Sequence, residues 1–202
     1  MGLRRLSDRI SYLPASEDPL SADVGIIHGE RYEWIFDVGN NDEAAEMIGS
    51  IGRDKKIVLS HFHEDHAGNI KRTDCRDIYC GDYTYARLQM GTEIKAPVTY
   101  YDGPEITVFP IPSTHSRGAV GLEVDGEYAF IGDAVYGAEK HGREAYNVNL
   151  LKDMTVLLEN LKAGTLLLSH DPSFARPKAE VVSKLKELYA MRSPGEAYIY
   201  KD

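Results

Sequence analysis

The stretch His61-Phe62-His63-Glu64-Asp65-His66 sets four potential metal ligands within six residues, directly behind the apolar run Lys56-Ile57-Val58-Leu59-Ser60. A short apolar run of this kind predicts a buried strand, and Ala67-Gly68-Asn69-Ile70 predicts the start of a short helix. The ligands then fall in a strand-to-helix crossover, at the carboxyl end of a strand, where open α/β sheets hold their sites. His61 and His63 are two apart, so extended backbone points both rings the same way. Asp65 and His66 are adjacent and cannot share that direction. The natural reading is two metals side by side, one on each pair. A solvated loop that happens to be histidine-rich is the weaker reading, because the chain has seven histidines and three of them are here with an aspartate in register.

Around this stretch the pattern alternates. Residues 8–13, 23–28 and 31–36 read as strands, the last two joined at Gly29-Glu30, and 42–51 as a helix. Residues 77–80 predict a strand, 83–90 a helix with Asp82 as N-cap, and 106–110 another strand. Residues 120–124 and 127–131 form a hairpin across Asp125-Gly126, the strongest turn signal in the chain. Residues 136–146 read as an irregular loop. Residues 149–161 predict a helix, with Leu150, Leu151, Met154, Leu157, Leu158 and Leu161 on one face. A strand at 165–169, a helix at 179–191 and a strand at 197–200 complete the chain. Early strands are hairpin-linked and later ones alternate with helices, which fits a sandwich of sheets with helices packed outside, in a single domain over residues 1–202.

Three further candidates each stand at the end of a predicted strand or in the loop after it: His115, Asp133 and His170. With His61, His63, Asp65 and His66 they make seven protein ligands, enough for two ions with open positions for water and substrate. Each of the three alone is as readily a satisfied structural group; their repetition at strand ends makes the set persuasive.

Together these residues resemble the metallo-β-lactamase superfamily. His61 to His66 match its His-x-His-x-Asp-His motif, and His115 in Thr114-His115-Ser116-Arg117-Gly118 its later histidine. Asp133 in Ile131-Gly132-Asp133-Ala134 matches its bridging aspartate, and His170 its last histidine. Asp37 in Phe36-Asp37-Val38-Gly39 matches a supporting aspartate. The resemblance implies an αββα sandwich with the site along one edge. It implies His61, His63 and His115 on one ion, Asp65, His66 and His170 on the other, and Asp133 between them. The ions expected are zinc, with iron or manganese as alternatives. Asp65 gains a second, catalytic role in orienting the attacking oxygen. The sequence departs from the pattern at Ser113-Thr114, where Pro-Gly is common, and at Arg117, where Pro is common. The bridging position is Asp rather than the Cys of many true β-lactamases, so antibiotic hydrolysis is not expected.

A water on such a metal pair ionises near neutral pH and supplies a nucleophile. Two divalent ions, two carboxylates and a hydroxide leave about one net positive charge, which favours an anionic small-molecule substrate. The expected activity is hydrolysis of a small ester, thioester or lactone, as in the glyoxalase-II-like and lactonase-like branches. A full glyoxalase II has a further helical domain, and the chain ends about thirty residues after His170, which counts against the full enzyme. A phosphodiesterase or nuclease is the alternative, weakened by a net charge of -9 that speaks against nucleic acid. A di-iron redox protein is a second alternative, weakened by His63 where that branch has Glu. Arg117 is a candidate grip on a substrate anion, and His141 and Tyr146 in the 136–146 loop are candidate substrate contacts on a lid. His28 reads as a surface residue. Cys75 and Cys80 match no zinc-knuckle spacing and read as buried free thiols. With no apolar run of membrane-spanning length and no leader pattern, a cytoplasmic location is expected.

Overall fold

The computed structural model describes residues 2–75 and 77–201. Two sheets form its centre. The first orders the strands Arg4–Arg5, Ile10–Leu13, Val24–His28, Glu33–Phe36, Lys55–Val58, Ile78–Cys80 and Thr92–Glu93. The second orders Val98–Tyr101, Glu105–Ile111, Ala119–Val124, Tyr128–Gly132, Thr165–Leu168 and Ala175–Pro177. Hairpin-linked strands pair antiparallel, but Glu33–Phe36 runs parallel to Lys55–Val58, and Tyr128–Gly132 parallel to Thr165–Leu168.

Alternation along these strands builds the layers. Trp34, Phe36 and Val58 from the first sheet meet Val108, Leu122, Phe130 and Leu167 from the second in one buried cluster between the sheets. Their chain neighbours point the other way, as a side-chain period of two requires. Ile35, Ile57 and Leu59 pack with Ala44 and Ile48 of helix α1 (Asp42–Ser50). Phe109, Ala129, Ile131, Leu166 and Leu168 pack with helix α4 (Val148–Asn160) and helix α5 (Lys178–Ala190). Three apolar interfaces therefore separate four layers, the expected αββα order. Two short helices, α2 (Glu64–Ala67) and α3 (Asp82–Leu88), cross from strand to strand.

Four local readings are corrected. Helix α2 begins at Glu64, with His63 at the N-cap, so Asp65 and His66 lie in a helical turn rather than in a loop before one. Gly81, not Asp82, caps α3, and Asp82 is its first residue. Leu150 on α4 faces solvent, while Leu151, Met154 and Leu158 carry the packing. The expected irregular loop at 136–146 is largely a hairpin of Ala138–Lys140 and Arg143–Asn147, whose second strand pairs with Tyr198–Lys201. Its turn residues His141 and Gly142 both have positive φ, of 55° and 74°, the geometry of a two-residue hairpin connection. No helix among the described residues is long and apolar enough to cross a membrane.

Candidate metal centre

The parallel pairs put the site where it is. Phe36 and Val58 lie side by side at the carboxyl ends of their strands, and the chain continues into Asp37 and into Ser60-His61. Gly132 and Leu168 are likewise paired, and the chain continues into Asp133 and His170. His115 follows the strand ending at Ile111. The two sheets meet at this edge, since the Val120 N–H donates to the Ser60 carbonyl at 2.9 Å. Gly132 has φ 53°, and a Cβ there would stand 2.8 Å from Ser60 Cβ, so glycine serves both the turn and the close approach.

The seven expected ligands converge in two groups. His61, His63 and His115 form one, and Asp65, His66, Asp133 and His170 the other; within each, the candidate donor atoms lie within 4.8 Å of one another. In the first, His63 Nδ1 stands 2.9 Å from His61 Nε2 and 3.1 Å from His115 Nε2. In the second, His170 Nε2 is 3.0 Å from Asp65 Oδ2, and His66 Nε2 is 3.4 Å from Asp65 Oδ2 and 3.3 Å from Asp133 Oδ2. The same Asp133 oxygen is 3.6 Å from His115 Nε2, so it stands between the groups.

Hydrogen bonds behind the histidines settle which nitrogen faces inward. His66 Nδ1 donates to Asp37 Oδ2 at 2.7 Å, and His115 Nδ1 to the Gly137 carbonyl at 3.1 Å. The Ser60 hydroxyl donates to Asp37 Oδ2 at 2.7 Å, which leaves its oxygen to accept from His61 Nδ1 at 2.9 Å. Each of these three rings thus spends Nδ1 on the protein behind it and turns Nε2 into the site, the orientation that a cation requires. Asp37 also accepts from the Ser60 N–H at 2.7 Å and is fully buried. It thus holds Ser60 and His66 from behind. Asp37 and His170 both hold left-handed backbone, with φ of 61° and 60°. At Asp37 three hydrogen bonds enforce that conformation, and at His170 the N–H is fixed by Asp23 Oδ2 at 3.0 Å.

The electrostatics fit a cation. Burial and then the neighbouring imidazoles push His61 strongly down, and burial with His115 lowers His63, so these two rings favour the neutral form that binds a cation. In the second, burial opposes charge on His66, but Asp37 and Asp133 overcome it and raise the ring to about 10. The bond to Asp65 raises His170. Burial works against the Asp65 charge, yet His170 and His66 hold that carboxyl below its usual value. His66 Nε2 and Asp133 Oδ1 are buried with no hydrogen-bond partner. Buried polar atoms are normally satisfied, and a ring nitrogen and a carboxylate oxygen left over together are what a metal ion would take up, in place of the proton on His66. A tetrahedral ion holding nitrogens at about 2.0–2.1 Å spaces them by roughly 3.3 Å, near the separations seen in the first group.

Three candidates lie apart from the ligands. Tyr146 is buried and gives its hydroxyl to Glu144 Oε1 at 2.6 Å. That carboxylate also accepts from the Gly137 N–H at 3.0 Å, so Tyr146 braces the segment whose carbonyl orients His115. His141 is exposed at the hairpin turn. Arg117 is exposed beside the first group, with its guanidinium over the Tyr83 ring. His28, expected at the surface, is half-buried between Ser11 Oγ and Glu33 Oε2. Cys75 is half-buried, Cys80 is buried, and both are free. The sequence reading missed Ser60, Asp23 and the Gly137 carbonyl. Ser60 could have been suspected from its position just before the motif, whereas nothing local marks the other two.

No family sequence model matches the chain, and no curated protein matches it by sequence. Solved structures do match. A metallo-β-lactamase from Pontibacter korlensis is similar at a TM-score of 0.71 and 14% identity, over 95% of this chain and 99% of that one. A B3 metallo-β-lactamase with an active-site glutamic acid gives a TM-score of 0.74 and 14% identity, over 95% and 90%. The Rm3 metallo-β-lactamase gives 0.73 and 15%, over 95% and 93%. The chain therefore has the metallo-β-lactamase fold that its motifs imply.

Proposed function

We propose that the protein is a dinuclear, zinc-dependent hydrolase of a small ester, thioester or lactone. His61, His63 and His115 hold one ion, Asp65, His66 and His170 the other, and Asp133 is shared. The observation that carries this reading is the Asp133 carboxylate, whose Oδ2 faces one nitrogen from each group while its buried Oδ1 has no partner. Glyoxalase-II-like and lactonase-like enzymes, which the ligand motifs resemble, supply the substrate class, and Asp rather than Cys at position 133 weighs against a β-lactam.

When bound, the ions lower the pKa of a coordinated water and polarise the substrate oxygen. The protein supplies orientation. Asp37, Ser60 and the Gly137 carbonyl hold the Nδ1 side of three imidazoles and so fix their orientation before any ion arrives. His61 and His66 are buried, while His63, Asp65, His115 and His170 are partly exposed, so substrate approaches over these four. Asp65, on that open side, accepts a hydrogen bond from the attacking water and orients it toward the scissile carbonyl.

Elemental analysis of protein saturated with zinc, iron or manganese tests the centre. About two equivalents of one metal are expected, and a single tight ion overturns the dinuclear reading. A panel of thioesters, lactones and phosphodiesters then tests the chemistry. Turnover confined to phosphodiesters would replace ester hydrolysis by phosphodiester cleavage.

A further inference from the structure

Beside the first ligand group stands a cluster that the metal chemistry does not use. Arg87, on α3, has its guanidinium carbon 4.8 Å from the Phe62 ring centroid and 5.1 Å from that of Tyr83. It also donates to the Tyr83 hydroxyl at 2.9 Å. Arg117, two residues past His115, has its guanidinium carbon 5.7 Å from the same Tyr83 ring. Phe62 meets Tyr83 edge-on at 5.2 Å, and its ring centroid lies 4.8 Å from that of His63. Two ring contacts thus separate the Arg87 guanidinium from a metal ligand.

Neither arginine has a carboxylate within ion-pairing distance among the described residues. The acid nearest Arg87 in sequence, Asp82, accepts instead from the Tyr83 N–H at 2.7 Å. This is notable in a chain with 32 acidic and 23 basic residues, where most cations could find a partner. Aromatic faces hold guanidiniums in place without neutralising them, and the planar fork then matches a carboxylate or phosphate with parallel hydrogen bonds. The Tyr83 phenol feels this field: its bond from Arg87, then the charges of Arg87 and Arg117, hold it below its usual value.

We propose that Phe62, Tyr83, Arg87 and Arg117 form a specificity site for an anionic group, carboxylate or phosphate, carried by the substrate away from its scissile bond. The inference rests on the hydrolase reading of the adjacent centre. Phe62 and Tyr83 supply the floor on which an apolar spacer lies, and the two guanidiniums take the charge at its end. The contact forms equally in the ground and transition states, so it acts on KM rather than kcat.

Zinc-loaded protein is assayed on 6-(acetylthio)hexanoate, its uncharged methyl ester and 6-(acetylthio)hexyl phosphate, reading the released thiol. The wild type should prefer an anion over the ester in kcat/KM by roughly tenfold, the worth of one charge-assisted hydrogen bond at an exposed site. In Arg87→Gln/Arg117→Gln that ratio should collapse toward one through KM, and Arg87→Lys/Arg117→Lys should retain part of it. Whichever of carboxylate and phosphate shows the larger collapse identifies the group. A ratio unchanged in the glutamine variant overturns the inference, even if all three substrates are turned over. If the wild type hydrolyses none of them, the hydrolase reading fails separately. Calorimetry with 6-mercaptohexanoate and 6-mercaptohexanol then decides this inference on binding alone. Tighter binding of the acid that is lost in the glutamine variant supports the anion site, and equal binding of the two thiols overturns it.

Discussion

Replacing Asp37 by Asn changes one atom and breaks an arrangement that only a carboxylate can satisfy. Three donors converge on its two oxygens: the Ser60 N–H on Oδ1, and the Ser60 hydroxyl and His66 Nδ1 on Oδ2. Asn tolerates the left-handed backbone at this position, so the substitution isolates the side chain. If the amide turns its oxygen toward His66, its NH2 faces the Ser60 N–H and leaves that buried donor unpaired, at a cost of roughly 1–3 kcal/mol. If it turns the other way, the NH2 faces His66 Nδ1, and the ring can accept it only in the tautomer that puts a proton on Nε2, inside the metal centre. Either outcome harms the site. Asp37→Asn should therefore unfold at lower urea concentration in chelator, by about 1–3 kcal/mol. Its zinc affinity, measured by competition with a chromophoric chelator, should fall 10–100-fold, or about 1.4–2.7 kcal/mol. Wild-type zinc affinity in a variant shown to be folded by circular dichroism would refute the reasoning, because it would mean that the inward tautomer of His66 does not depend on Asp37.

Two further outcomes test the scaffold. Asp102 is buried and accepts from the Arg31 N–H and guanidinium, the Tyr32 N–H and Trp34 Nε1. Burial pushes its carboxyl up, but these donors prevail and hold it below its usual value. Its contribution is therefore complete above the unfolded-state pKa of about 3.9 and is lost as pH falls through the lower folded value. Asp102→Ala should lose roughly 1–3 kcal/mol for the stranded Trp34 N–H alone, and its urea midpoint should fall less than that of the wild type on acidification from pH 5 to pH 3. Phe130, fully buried between Phe36 and Phe174, lies on Gly25 of the facing sheet. Phe130→Ala should cost about 3–5 kcal/mol in urea unfolding, and a loss below 1 kcal/mol would mean that the two sheets do not share this core.

How much of this was legible depended on how local each determinant is. The convergence of His61 to His66 was readable because one strand end carries four candidate ligands, and that of the later three because each follows a strand whose own pattern is clear. The layers were readable from alternation such as Trp34-Ile35-Phe36, which sends neighbours to opposite faces. The shift of α2 to begin at Glu64 was not, because nothing in the six-residue motif says where its extended backbone stops; the structure stops it at His63, whose ψ is 148°. The hairpin of Ala138–Lys140 and Arg143–Asn147 was hidden because its strands are short and charged, and its second strand is completed by Tyr198–Lys201, far along the chain. Asp23 was hidden for the same reason: it fixes the His170 N–H from 147 residues away. Arg87 is the instructive case. On a helix surface it reads as an ordinary solvated cation, and only the fold brings it over Phe62, one residue from the candidate ligands His61 and His63. Residues that bind a metal carry their chemistry in their type and spacing. Those that would orient the ligands, or select what reaches them, carry it in the company the fold gives them, which is why the motif suggests a metal centre while the proposed anion site had to wait for the structure.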